Sequence, residues 1–402
     1  MAATKEELHR STKPNGASRS NTSVLRVAAP DARAGSAYSP PGAAGRSGLA
    51  IGNILLCYYR LDKLMQLKYE CGVGNESPFF IVGSGRSGST LLRLILAKHS
   101  RIEIPPETWF LLRLVRELPL SEPLTPAEVE TAVQIITAEY RWPDFGLDKD
   151  EFAGEARALR QPRLADIADL VYTAFRRRSG KPRTGDKTPP YVTIIPELAA
   201  IYPDARFIHL VRDGRDVVTS YLDADFPGVF WDAEFAWTRA IRRVRAAQAG
   251  PLAERILEVR YEELVSNPES TVRGICDFLG EAFEPGMLRY QESVAEKVPA
   301  RERAIHAALA EPISARAVLR WRARLTPLEQ FAIESCMRRE LEQAGYSLRF
   351  AGPLWRPVLR VAGVAIQAVG PFIGRVARAF HDRGWMQRAV YIWRGKDRRV
   401  VP

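Results

Sequence analysis

Short apolar runs recur along the chain, and polar stretches with helical periodicity separate them. The runs predict strands near residues 78–83, 101–104, 205–211 and 255–260. Apolar positions at helical spacing predict helices at Pro126–Tyr140, Leu164–Arg178 and Pro327–Ala344. The last of these stops at Gly345, a residue type common just after helix ends. Strands that alternate with helices indicate an α/β fold, in which a parallel sheet is covered by helices on both faces.

A glycine-rich turn follows the first predicted strand. Phe79–Leu92 reads FFIVGSGRSGSTLL, and its three glycines, at 83, 85 and 88, allow several backbone amides to point at one anion. A helix that begins near Gly88 adds unpaired N–H groups and the positive end of its dipole. The segment therefore predicts a P-loop-type phosphate site.

One departure from the Walker A pattern restricts the kinds of phosphate ligand that the loop suits. Gly83, Gly88 and Thr90 fall on its G-x-x-x-x-G-K-[ST] frame, but Ser89 stands where the lysine belongs, and the positive charge lies inside the loop at Arg86. A loop of this kind suits one 5′-phosphate that carries a transferring group, and no metal is expected. A P-loop nucleotide kinase remains the alternative, and it would require magnesium and a triphosphate.

A second anion site is predicted at the end of another strand. Residues 205–222 read ARFIHLVRDGRDVVTSYL, so Arg212 follows the strand and Ser220 lies in the next helix. Because ligands collect at the carboxyl ends of parallel strands, Arg212 and the glycine loop are expected to face one crevice. Two anion sites on one edge imply a ligand with two separated phosphates.

Taken together, these motifs resemble those of the sulfotransferase family, whose donor is 3′-phosphoadenosine 5′-phosphosulfate (PAPS). The matches run in the family's order, cover about residues 77–345, and point to the bacterial and Golgi-type branch that includes the tyrosyl-protein sulfotransferases. The resemblance implies that the 5′-phosphosulfate lies on Arg86, Ser87, Gly88, Ser89 and Thr90. It implies further that Arg212 and Ser220 hold the 3′-phosphate and that Tyr261, in RYEELVSNPE, contacts the adenine.

The same resemblance suggests two catalytic residues besides Arg86. Glu107, in RIEIPPETWFL, matches the family's general base, and Lys187, in GDKTPPY, matches a lysine that stabilises the departing oxygen. Each residue also has a plain structural interpretation. Pro-Pro-Glu-Thr is ordinary chemistry for the start of a helix, and Lys187 could be a turn residue in a proline-rich loop. The catalytic interpretation predicts in-line transfer, with Glu107 as the base.

The acceptor is less constrained by the sequence. Helical insertions between residues 113 and 182 are expected to form the acceptor pocket, and the sulfuryl group would pass to a hydroxyl or amine of a glycan, lipid or small metabolite. The tyrosyl-protein branch has arginine directly after its Glu-Thr pair, whereas this chain has Trp109. An acidic tyrosine peptide is therefore not the expected acceptor.

Charge divides the chain into three predicted regions. The net charge is +11, of which residues 1–48 carry +4 and residues 353–402 carry +8, so the centre is close to neutral. We predict a disordered basic tail at 1–48, a catalytic domain at 49–352 and a basic amphipathic helical tail at 353–402. A neutral centre argues against a nucleic-acid partner, and the last tail predicts peripheral membrane contact of a cytoplasmic protein. A non-catalytic membrane adaptor that uses these tails is the second alternative.

Overall fold

The computed structural model describes residues 77–223, 229–299, 302, 307–352, 354, 355 and 357–365. The predicted N-terminal tail, and residues 366–402 of the predicted C-terminal tail, lie outside these ranges. Residues 357–365 are helical and expose Val358, Val361 and Val364. None of the helices in the described ranges has the length and apolar character that crossing a bilayer requires. The predicted membrane contact and the predicted domain boundaries therefore remain predictions.

In the described part of the chain, five parallel strands form a single sheet, and four of them lie where the hydrophobic pattern predicts strands. They are β1 (Phe79–Gly83), β2 (Ile102–Glu103), β3 (Arg183–Lys187), β4 (Phe207–Val211) and β5 (Ile256–Arg260). Their order across the sheet is β2-β3-β1-β4-β5, so the glycine loop follows the central strand. The fold is the predicted α/β fold with a parallel sheet and flanking helices.

Strand β3 is the one strand that the hydrophobic pattern does not predict. Its sequence, RTGDK, is polar, yet every residue in it is buried. It pairs with β1 on one side and β2 on the other, with Asp186 opposite Phe80 and Lys187 opposite Ile81. Pairing on both edges buries these polar side chains, so their partners must come from the protein itself.

Helices cover both faces of the sheet. Besides the helical residues 357–365, the described α-helices are α1 (Ser89–Ala97), α2 (Leu111–Glu117), α3 (Pro126–Thr137), α4 (Trp142–Phe145), α5 (Lys149–Ala158), α6 (Leu164–Ser179), α7 (Ile195–Ile201), α8 (Gly214–Leu222), α9 (Val229–Gln248), α10 (Tyr261–Ser266), α11 (Pro268–Leu279), α12 (Val294–Lys297), α13 (Trp321–Arg324) and α14 (Pro327–Gln343). The three predicted helices correspond to α3, α6 and α14, with ends shifted by one to three residues. Helix α3 begins with a capping box between Thr125 and Glu128, and α14 with one between Thr326 and Glu329.

Alternating residues of β1 enter two separate cores. Phe80 and Val82 pack among residues of α2 to α7, whereas Phe79 and Ile81 pack against α1, α10 and α11. Side chains on successive strand residues point to opposite faces, which explains why an unbroken apolar strand is needed here. The central strand is therefore packed on both faces, so the glycine loop begins at a rigid strand end.

Candidate active site

The carboxyl ends of all five strands contribute a predicted functional residue. Arg86 follows β1, Glu107 follows β2, Lys187 ends β3, Arg212 follows β4 and Tyr261 follows β5. Because the strands are parallel, these ends lie along one edge of the sheet, where α/β folds bind their ligands. The sheet thus gathers residues that are far apart in the sequence.

The glycine loop is built to present backbone amides. Gly88 has a φ of 94°, and a Cβ on it would lie 2.5 Å from Cδ2 of Tyr261, so no larger residue fits. Among the described residues, no side chain caps the first amides of α1, whereas Asp213 caps α8 by accepting from the Arg215 N–H. The start of α1 therefore retains the free N–H groups that a phosphate would bind.

Hydroxyl groups line the same loop. Ser87, Ser89 and Thr90 are all buried, and the Ser84 and Ser87 Oγ atoms lie 2.6 Å apart. The backbone of Arg86 has a φ of 62°, an uncommon value for a residue with a side chain. Conformations of this kind persist only where the surrounding structure enforces them, and they are frequent in binding sites.

Two arginines meet between β1 and β4. The Arg212 Nη1 donates to the Arg86 carbonyl oxygen at 3.0 Å, and the Arg86 Nε donates to the Ser220 Oγ at 3.2 Å. Arg212 is only 5% exposed, and its Cζ lies 4.6 Å from the ring centroid of Tyr261. Its Nε is buried and has no hydrogen-bond partner within the part of the chain that is described. The predicted anion-binding groups thus converge, and one buried donor is still unpaired.

An ion pair connects the second and third strand ends. The Lys187 Nζ donates to the Glu107 Oε1 at 2.5 Å and to the Thr90 Oγ1 at 3.3 Å. Lys187 is 2% exposed, and its burial lowers the pKa of the amine, which the charge of Glu107 opposes. The lysine therefore bridges the glycine loop and the candidate base, which are separate features of the sequence.

Glu107 is held as a carboxylate. Burial acts to raise the pKa of its carboxyl, but the charges of Lys187 and Arg141, with hydrogen bonds from Lys187 and Trp109, outweigh burial and lower this pKa. The Trp109 Nε1 donates to the Glu107 Oε2 at 2.9 Å. A carboxylate with a lowered pKa is ionised at neutral pH and can accept a proton, provided that the acceptor group reaches it.

Two residues at this site are not predicted from the sequence. Arg141 lies 34 positions after Glu107, in the insertion, and its Nη2 is 3.4 Å from the Glu107 Oε2. Asp186 is fully buried beside Lys187 in β3. The only signal in the sequence for Asp186 is its place next to the matched lysine, and no motif marks Arg141. Within the described ranges, no three His, Cys, Asp or Glu side chains form a group that could hold a metal ion.

The sequence of the chain is similar to one known protein family and to several of its members. Residues 78–285 match the model of the Sulfotransferase family. The chain is 22% identical to a putative protein-tyrosine sulfotransferase of Caenorhabditis briggsae, over 61% of this chain and 81% of that protein. It is 26% identical to protein-tyrosine sulfotransferase 1 of Danio rerio, over 60% of this chain and 68% of that protein.

Solved structures share the fold. The sulfotransferase domain of the Synechococcus PCC 7002 olefin synthase superposes with a TM-score of 0.52 at 24% identity, over 69% of this chain and 98% of the domain. The sulfotransferase domain from the curacin biosynthetic pathway superposes with a TM-score of 0.50 at 21% identity, over 68% and 98% of the two chains. Both support the same α/β architecture.

Proposed function

Because the chain belongs to the sulfotransferase family, we propose that it transfers a sulfuryl group from PAPS to a hydroxyl or amine of an uncharged acceptor, with Glu107 as the base. Membership of this family favours sulfuryl transfer over the nucleotide kinase and the non-catalytic adaptor that the sequence left open.

The observation that carries the donor assignment is the contact between Arg212 and the glycine loop. Arg212 binds the Arg86 carbonyl, Arg86 binds Ser220, and the Arg212 Nε lacks a partner among the described residues. A 3′-phosphate would supply that partner, while the amides of α1 and the Arg86 side chain would receive the 5′-phosphosulfate. The Tyr261 ring, which stacks on Arg212, offers an apolar face to the adenine.

The proposed transfer is a direct displacement at sulfur. The acceptor oxygen or nitrogen forms a bond to sulfur as the bond from sulfur to the bridging oxygen of PAPS breaks, and the acceptor's proton passes to the Glu107 carboxylate. The products are a sulfate ester or sulfamate and adenosine 3′,5′-bisphosphate. Lys187 and Arg86 stabilise the charge that grows on the leaving phosphate and on the sulfuryl oxygens, so the protein supplies position and charge and needs no nucleophile of its own.

The acceptor side of the site has an aromatic wall. The Trp109 ring lies 6.5 Å from the ring of Tyr140, which is 46% exposed, and Arg141 lies over the Tyr140 ring at 5.3 Å. The Arg141 guanidinium is already paired with Glu107, with Asp144 and with Glu302. An acidic acceptor would therefore meet three carboxylates and an arginine that they already neutralise. A neutral sugar or phenol could pack on the rings without this penalty.

A panel of acceptors tests this assignment. With radiolabelled PAPS, neutral phenols or glycosides should be sulfated with a kcat/KM at least roughly tenfold above that of a tyrosine peptide flanked by aspartates, because like charges repel at the entrance. The same peptide with the aspartates replaced by serines is the matched control. A preference for the acidic peptide over its serine version would refute the proposed acceptor class.

Calorimetric titration tests the donor site without any acceptor. Adenosine 3′,5′-bisphosphate should bind saturably in the presence of a chelator, and ATP with magnesium should bind roughly tenfold more weakly or not at all, because the site has donors for two separate phosphates. Magnesium-dependent binding of ATP, with no binding of the bisphosphate, would refute the donor assignment and favour the nucleotide kinase.

A further inference from the structure

Asp186 is a fully buried carboxylate that receives hydrogen bonds from three hydroxyl groups. The Thr108 Oγ1 lies 2.6 Å from Oδ2, the Tyr172 hydroxyl lies 2.7 Å from Oδ2, and the Thr188 Oγ1 lies 2.8 Å from Oδ1. Burying a carboxylate is costly unless hydrogen bonds compensate, and here three donors come from three different parts of the chain. The proposed transfer reaction makes no direct use of Asp186.

Asp186 determines which group is the donor and which the acceptor in each of these hydrogen bonds. A hydroxyl has one proton to donate, and the Thr108 hydroxyl donates it to Asp186. The Tyr191 hydroxyl, 2.5 Å away, must then donate to the Thr108 Oγ1, and it accepts from the Leu111 N–H at 3.2 Å. On the other carboxylate oxygen, Thr188 donates to Asp186 and accepts from the Thr108 N–H at 3.0 Å. The Thr108 hydroxyl is therefore bonded to Asp186 directly, and the Thr108 amide is linked to it through the Thr188 hydroxyl.

Thr108 directly follows Glu107, and Asp186 directly precedes Lys187. The network thus joins the peptide that carries the base to the strand that carries the lysine, one residue away from each. The 2.5 Å contact between Lys187 and Glu107 spans the same two segments. A small displacement of a catalytic group from its productive position is costly in rate, so a rigid second link between the segments has a direct catalytic use.

We propose that Asp186 is a positioning residue, which fixes the carboxylate of Glu107 beside Lys187 through the hydroxyl and amide of Thr108. This inference rests on the proposed function, because it assigns Asp186 a role only through the base. The pKa of the Asp186 carboxyl is raised, because burial outweighs the opposing effect of the three hydroxyl donors.

The test is a double-mutant cycle that uses adenosine 3′,5′-bisphosphate release from PAPS, with water as the acceptor and then with any acceptor that the panel identifies. Asp186→Asn and Thr108→Val should each lower the rate by about 10- to 100-fold, and should leave the affinity for the bisphosphate unchanged within about twofold. In the Glu107→Gln background, either change should lower the remaining rate by less than about threefold, because both act through Glu107. Thr108→Val replaces the hydroxyl by a methyl group of similar size and keeps the backbone amide, so it keeps the test decisive if Asp186→Asn does not fold.

Asp169→Asn is the matched control. Asp169 is also a carboxylate that receives a tyrosine hydroxyl, from Tyr202 at 2.9 Å, but it lies on α6, and neither on β3 nor on the segment that carries Glu107. Its rate should stay within about threefold of the unmodified protein. Folded Asp186→Asn and Thr108→Val proteins with unchanged rates, or equal losses with and without Glu107, would overturn the positioning role. An unmodified chain that neither binds the bisphosphate nor consumes PAPS would instead refute the proposed function.

Discussion

Replacing Glu107 by glutamine is expected to lower turnover by about 100- to 1,000-fold, which is the usual cost of losing a general base. Glutamine has nearly the same shape but cannot take the acceptor's proton, and it leaves the Lys187 amine without its buried counter-charge. The affinity for adenosine 3′,5′-bisphosphate should not fall, because Glu107 carries no part of the phosphate sites. Initial rates at saturating PAPS, together with calorimetric titration of the bisphosphate, measure both quantities.

Glu302→Gln is the control for that experiment. Glu302 allows the same change from glutamate to glutamine and also contacts Arg141, but among the described residues it makes no hydrogen bond to Lys187 and acts on that amine only through its charge. Turnover should stay within about threefold of the unmodified protein. If both variants lose activity equally, the loss comes from the charge balance around Arg141, and Glu107 is not the base.

The pH dependence of turnover follows from the lowered pKa of Glu107. Burial opposes ionisation, but Lys187 and Arg141 more than offset it, so the carboxylate form persists to a lower pH than in an ordinary glutamate. Activity should therefore be lost only as the pH falls below the usual glutamate range, and it should not decline between neutral pH and about 5. An acid limb near neutral pH that disappears in Glu107→Gln would contradict the direction of this pKa.

Arg212→Ala is expected to remove the preference of the protein for a 3′-phosphate. In the unmodified protein, adenosine 3′,5′-bisphosphate should bind about 10- to 100-fold more tightly than adenosine 5′-phosphate, since charge-assisted hydrogen bonds to a phosphate contribute about 1.5 to 3 kcal/mol. In Arg212→Ala the two nucleotides should bind with nearly equal, weak affinity. Calorimetric titration of both ligands against both proteins measures the difference directly.

The comparison of two ligands separates recognition from damage to the fold. A distorted site would weaken both nucleotides together and preserve their ratio, whereas loss of the 3′-phosphate contact weakens only the bisphosphate. Arg157→Ala, which removes an arginine paired with Glu130 on the insertion, should leave both affinities unchanged. If Arg212→Ala retains the preference for the bisphosphate, the 3′-phosphate is held elsewhere and the donor assignment fails.

Much of the geometry of the candidate site could be predicted because the glycine loop is encoded locally. The residues from Gly83 to Thr90 are contiguous, and a strand, a glycine turn and a helix start have recognisable sequence signals. Arg212 and Tyr261 each follow an apolar strand, so their place on the ligand-binding edge follows from the parallel fold. Strand β3 escaped prediction because its residues are polar, and polar residues are normally expected in turns.

The acceptor half could not be predicted in the same way. Arg141 reaches Glu107 from an insertion 34 residues away, and its arrival depends on how α3 and α4 pack. Asp186 looks like an exposed acidic residue in RTGDK, yet it lies at the centre of a buried network of hydroxyl groups. Such contacts depend on which distant segments become neighbours in the fold, and the local pattern of apolar and polar residues does not predict these neighbours.

The amino-acid sequence by itself determined the α/β fold and the glycine loop between a strand and a helix, since both depend on backbone preferences and apolar patterns within short segments. Only the tertiary structure decided that β3 lies between β1 and β2. That placement buries Lys187 and Asp186, pairs Lys187 with Glu107, and directs three hydroxyl groups to one carboxylate. The physical reason is that removal from water obliges polar groups to find partners within the protein, and those partners are chosen by the packing of distant segments.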